Sequence, residues 1–117
     1  NEAVIVVMIE HVKSIQSMDE IVGVEGIDAF IVGPYDLSAS IGEPGNFKSP
    51  EFSKIMNNIT NRLESLKIPG GIHVVDPDIE LFTQYKESGF TFMGYGMDTR
   101  FIDTISREHL SRIRKNL

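Results

Sequence analysis

The chain has 117 residues, 41% of them hydrophobic and 24% charged, with 17 Asp/Glu against 11 Lys/Arg and no cysteine. That composition belongs to a globular domain and excludes a disordered tail, a collagen-like repeat, a disulfide framework and a thiolate metal site. A net charge of −6 argues against nucleic acid as a partner, and no apolar run approaches the roughly 20 residues of a membrane span.

The first strand is predicted at Val4–Ile9, a β-branched apolar run of the kind buried on both faces of a parallel sheet. It stops at Glu10-His11. A helical segment with apolar Val12, Ile15, Ile21 and Val22 follows and ends at Gly23 and Gly26. The second strand is Ala29–Val32, and a Gly/Pro/Ser-rich loop is expected from Asp36 to Ser49. Ser49 then caps a helix, with Pro50 at its first position and Glu51 against the positive end of the dipole. Phe52, Ile55, Met56, Ile59, Leu63 and Leu66 form one face of it. After Pro69-Gly70-Gly71 come a third strand, Ile72–Val75, and a helix started by Asp76-Pro77 with Leu81, Phe82 and Tyr85 inward. The fourth strand is Phe90–Met93. Thr99 is the expected cap of the last helix, with Ile102, Ile105, His109 and Ile113 on one face.

This βα alternation means a parallel sheet with right-handed crossovers. A small doubly wound sheet and half of a βα barrel both fit. A complete eight-unit barrel needs roughly 250 residues, and the first strand ends without a Gly-rich dinucleotide turn.

In parallel βα folds chemistry collects at the carboxyl ends of the strands. Those ends carry Glu10-His11, Gly33-Pro34-Tyr35-Asp36, Asp76 and Gly94-Tyr-Gly-Met-Asp98. Glu10 and Asp36 sit at adjacent strand ends, and two carboxylates with open water positions suit Mg²⁺ or Mn²⁺. The other reading is a strand-end Glu10 paired with a base or a helix N-terminus, and the residues leave both open. Gly33 and Pro34 shape a turn whose Tyr35 and Asp36 amides are placed to bind a carboxylate. An ordinary βα turn capped by Asp36 is the plainer alternative. His11 is expected to be exposed or capping, His73 a satisfied core histidine, Asp76 a helix cap and His109 a packed residue. Gly94 and Gly96 allow a close backbone approach to the pocket, and Arg107, Arg112, Arg114 and Lys115 form a solvated face. Residues 1–51 hold nine Asp/Glu against Lys13 and Lys48, an acidity that suits the surroundings of a cation.

Val7-Met-Ile-Glu10, Asp19-Glu-Ile21, Gly26-Ile-Asp28, Ile31-Val-Gly-Pro-Tyr-Asp-Leu-Ser-Ala-Ser40 and Gly94-Tyr-Gly-Met-Asp-Thr99 together resemble the C-terminal half of the metal-dependent class II pyruvate aldolases, the HpcH/HpaI aldolase family. The resemblance implies an α/β fold, the (βα)4 half of a TIM barrel, with residues 1–117 as the second half of the domain and the first half absent. It implies Glu10 and Asp36 as the metal ligands for Mg²⁺ or Mn²⁺, with Co²⁺ a further option. It implies Tyr35 and Asp36 amides that hold the pyruvate carboxylate, beside Gly33, Pro34 and Met8. Met8 stands where a substrate-contacting Gln is common, and Tyr35 where a small residue is common. The family's catalytic His, its Asp partner and its substrate Arg come from the first half of the barrel, so no catalytic residue is expected among these 117. The implied enzyme is a cytoplasmic lyase that cleaves a 4-hydroxy-2-oxo acid into pyruvate and an aldehyde. It forms homo-oligomers through the last helix and has no nucleic-acid or membrane partner. The alternatives are a CoA-thioester lyase of the citrate lyase beta or malyl-CoA type and a non-catalytic half-barrel binding module.

Overall fold

A computed structural model describes residues 3–117. Strands β1 (Val6–Ile9), β2 (Ala29–Val32), β3 (Gly70–Val74) and β4 (Phe92–Tyr95) form one parallel sheet in the order β1-β2-β3-β4. A doubly wound sheet reverses its strand order at a switch point. This order never reverses, so the sheet is an arc of a βα barrel.

The two faces of the arc differ. Ile9, Val32, Ile72 and Met93 lie in register across the sheet, and the first three are fully buried. They face the helices, where they meet Met18, Leu37, Phe52 and Ile59 in one core. The next row on the opposite face is Met8, Ile31, Gly71 and Phe92. Met8 is 56% exposed and Phe92 41%, because no helix of the described residues covers that side. Side chains alternate along a strand, so Glu10 shares the open face with Met8.

Helices α1 (Val12–Gln16) and α2 (Met18–Val22) replace the single helical segment expected there. The chain turns at Ser17, where Met18 enters the core. Between β2 and the Ser49 start lies α3 (Pro34–Ser40), in a stretch expected as loop. Pro34 supplies the first helical position, but Leu37 is its one large apolar residue, too little for a periodic signal. Helix α4 (Pro50–Leu63) starts as expected, with Ser49 Oγ accepting from the Phe52 amide at 3.1 Å.

The register of β3 is earlier than expected because its glycines are packed, not turned. A Cβ on Gly71 would stand 2.6 Å from the Phe92 ring, and one on Gly70 2.7 Å from Phe30. Asp78, not Asp76, caps α5 (Ile79–Glu87), its Oδ1 accepting from the Leu81 amide at 2.9 Å. β4 likewise starts later, and Phe90 is a core residue before the strand. Helix α6 (Asp98–Lys115) begins after Met97, so Thr99 lies inside its first turn. None of its residues is buried, His109 included, so the expected packing of that histidine is not found.

Candidate active site

Hydrogen bonding brings Gly33 beside the end of β1: its amide donates to the Ile9 carbonyl at 3.2 Å. Glu10 is therefore the neighbour of Gly33 across the strand ends. A Cβ at Gly33 would lie 3.2 Å from Glu10 Cβ, 3.4 Å from Glu10 Oε2 and 3.5 Å from Met8 Cε. The glycine leaves a hollow where the Glu10 carboxylate rests.

Gly33 is also the N-cap of α3, which puts Pro34, Tyr35 and Asp36 in its first turn. Leu37 is the first residue to close a backbone bond, to Gly33 O at 2.9 Å. The amides of Tyr35 and Asp36 precede it, and first-turn amides have no acceptor within their own helix. Among the described residues they have none elsewhere. Ser38, fully buried, locks the turn by donating to Tyr35 O at 2.7 Å and accepting from the Gly45 amide at 2.9 Å.

Glu10 and Asp36 make no ion pair among the described residues, so the pairing of Glu10 with a base is not found. Two carboxylates with no cationic side chain against them are a hard-oxygen donor set that fits an alkaline-earth or Mn²⁺ ion. No cluster of three or more His, Asp or Glu that could hold a metal forms among the described residues.

The ends of β3 and β4 are tied to the same turn. Tyr35 OH donates to Asp76 Oδ2 at 3.3 Å, and Arg100 Nε donates to Asp76 Oδ1 at 2.5 Å. Arg100 also reaches Asp103 at 3.5 Å. Partial burial first, then the Asp76 charge and hydrogen bond, push the Tyr35 phenol above its ordinary value against the opposing pull of Arg100. The ring of Tyr35 stands edge-on to Phe47 at 4.8 Å. Asp76 is thus a strand-end bridge and not the expected helix cap. Sequence reading missed Arg100, because its partner lies 24 residues away.

The histidines divide. His11 caps α1, its Nδ1 accepting from the Lys13 amide at 3.1 Å, as expected. His73 alternates with buried Ile72 and Val74 and so faces the open side. It is half-buried there, with Nε2 3.1 Å from the Gly96 carbonyl oxygen. It is hydrogen-bonded as expected, yet it lies outside the core.

The sequence model of the HpcH/HpaI aldolase/citrate lyase family matches residues 1–103. The chain belongs to that family. Among HpcH/HpaI proteins, it is 31% identical over 110 residues to a hydroxypyruvate/pyruvate aldolase of Pseudomonas aeruginosa, covering 94% of this chain and 40% of that one. It is 36% identical over 95 residues to the 2-keto-3-deoxy-L-rhamnonate aldolase of Escherichia coli K12, covering 81% of this chain and 35% of the relative. The crystal structure of an HpcH/HpaI aldolase from Desulfitobacterium hafniense superposes with a TM-score of 0.85 at 26% identity, over 97% of this chain and 43% of that one. A family member from Burkholderia cenocepacia gives 0.86 at 24% identity and supports the fold alone. The four βα units are therefore an arc of the TIM-type barrel of this family. The chain spans 35–40% of the length of these aldolases.

Proposed function

We propose that this chain carries the metal- and carboxylate-binding half of a pyruvate aldolase. The enzyme reversibly splits a 4-hydroxy-2-oxo acid into pyruvate and an aldehyde, and the chain is the second half of its barrel. One observation carries the reading: Glu10 lies against the Gly33 hollow, Asp36 sits in the first turn of the helix that Gly33 caps, neither has an ion-pair partner among the described residues, and the amides of Tyr35 and Asp36 are unbonded beside them.

Each residue has a task. Glu10 and Asp36 hold a divalent cation, Mg²⁺ or Mn²⁺ with Co²⁺ a further option. When bound, that cation supplies the positive charge that offsets an enolate at the keto oxygen. The Tyr35 and Asp36 amides donate to the substrate carboxylate in the electropositive first turn of α3. Gly33 and Pro34 keep the approach to those amides clear. Met8, exposed on the open face, forms an apolar wall that donates no hydrogen bond. The proton acceptor for the 4-hydroxyl and the cationic side chain that completes the carboxylate site belong to the other half of the barrel.

The acidity of residues 1–51 disfavours the basic surface that a CoA thioester needs, which sets the aldolase above the CoA lyase. The apolar face of α6, with Ile102 67% and Ile105 55% exposed, is proposed to pack against a neighbouring subunit of a homo-oligomer. No helix of the described residues is long and apolar enough to cross a membrane, and the lack of cysteine suits a cytoplasmic setting.

Titration with Mn²⁺, followed by water-proton relaxation, tests the site. Glu10→Ala and Asp36→Ala in the full enzyme are each expected to weaken Mn²⁺ by at least roughly tenfold, as loss of one of two protein carboxylates implies. Unchanged affinity in both overturns the assignment. The 117 residues alone are expected to release no pyruvate, and turnover by them would overturn the half-site reading.

A further inference from the structure

The mouth of the arc has a row one step beyond Met8, Ile31, Gly71 and Phe92. Extending the registers Ile9↔Val32 and Val32↔Ile72 by one residue, and taking His73↔Gly94 as it stands, the row reads Glu10, Gly33, His73, Gly94. Two of its four members are glycines, so Glu10 and His73 are its only side chains. They stand two strands apart, roughly 10 Å between backbones, with Gly33 on the strand between them. Such a gap spans a chain of several carbon atoms.

Gly94 seats the imidazole. A Cβ there would lie 3.0 Å from His73 Cδ2 and 3.4 Å from Cγ, so the glycine lets the ring lie closer to β4 than a side chain at this position allows. The ring's protonation pattern follows from its partner. Gly96 O, 3.1 Å from Nε2, is a carbonyl and can only accept, so Nε2 carries the hydrogen. In the neutral ring Nδ1 is then a bare acceptor. It has no hydrogen-bond partner among the described residues.

We propose that His73 is a specificity-determining residue of the aldehyde half of the site, where Nδ1 accepts a hydrogen bond from a hydroxyl on the carbon next to the aldehyde. The inference rests on the aldolase reading above and names its second substrate as a 2-hydroxyaldehyde. With Glu10 and Asp36 anchoring the pyruvate half, the growing chain extends past Gly33, which puts no side chain of its own in the way, towards β3. A hydroxyl donor arriving there satisfies Nδ1, and a plain aldehyde leaves it unpaired. A site built around such an acceptor discriminates against the substrate that lacks the donor.

The test compares glycolaldehyde with acetaldehyde, which differ by that one hydroxyl, as partners for pyruvate in the Mn²⁺-loaded full enzyme. The wild type is expected to favour glycolaldehyde in kcat/KM by roughly tenfold, the order of one neutral hydrogen bond. His73→Leu brings the ratio close to one, and His73→Asn, whose Oδ1 still accepts, restores part of it. Where His73→Leu fails to fold, His73→Phe removes the acceptor while keeping a ring, and the ratio falls in the same way. A ratio unchanged in the leucine or phenylalanine variant overturns the inference, as does a wild type without preference. A wild type that joins pyruvate to neither aldehyde overturns the aldolase reading itself, and does so before any variant is made.

Discussion

Tyr85 brings its phenol ring edge-on against Phe90 at 5.8 Å between centroids, and its hydroxyl has no hydrogen-bond partner among the described residues. Burial pushes that phenol above its ordinary value, because the charged form has lost water and gained nothing in return. The folded state therefore holds the proton more tightly than the unfolded chain does. Its contribution to stability is complete below pH 10, the unfolded value, and is lost as pH climbs through the folded one. Tyr85→Phe is expected to lose less stability between pH 9 and pH 11 than the wild type, read as the shift in urea midpoint. Equal losses in the two proteins would refute the buried phenol as a cause. Single residues differ in how plainly they can be read beforehand. The position of Glu10 at the end of β1 was legible, since a carboxylate ending an apolar strand stands out in the sequence; its role and that of Asp36 are part of the proposal above. His73 was not: its acceptor nitrogen is defined by a carbonyl 23 residues further on. Its open-side exposure depends on which face the helices cover.

At the level of elements, the strong local signals carried through. β2 lies at Ala29–Val32 as expected, and α4 starts at Ser49-Pro50 because cap, proline and apolar stripe all agree there. The failures share a cause. α3 is seven residues long with a single apolar anchor, so it rests on Pro34 and on Ser38 bonds that no periodicity announces. Gly70 and Gly71 look like a breaker in sequence but serve as strand residues, since the bulk of Phe30 and Phe92 already fills the space above them. The cap of α4 has a measurable weight. Ser49 is 4% exposed and satisfies the Phe52 amide, so Ser49→Ala is expected to cost about 1 kcal/mol in denaturant unfolding. No measurable loss would mean that another group, or water, takes over that amide.

Among the described residues, the inner face of the sheet and the stripe of α6 are both apolar and uncovered, with different demands. The inner face of the sheet, with Val6 and Met8, is the inward side of a four-stranded arc of a barrel. The stripe of α6 points away from the body, and a helix with no buried residue gains little from folding onto its own chain. Under the oligomer proposal, Ile102→Glu with Ile105→Glu is expected to convert the full enzyme to smaller species in sedimentation. Mn²⁺ affinity should stay within roughly twofold, as for sites that share no contacts. A full-sized assembly in that variant would remove α6 from the interface. Fold class and family were legible at this scale because the βα alternation and the Gly33–Ser40 stretch are local. The choice between an arc and a doubly wound sheet was not, since both are written with the same alternation.

The unreversed strand order has a kinetic consequence. Every strand pairs with its neighbour in sequence, so no ladder has to wait for a distant segment to arrive. Each loop closure spans one βα unit, and its entropy grows only slowly with length. Local pairing of this kind favours rapid folding. The arc is therefore able to zip from either end, one unit at a time.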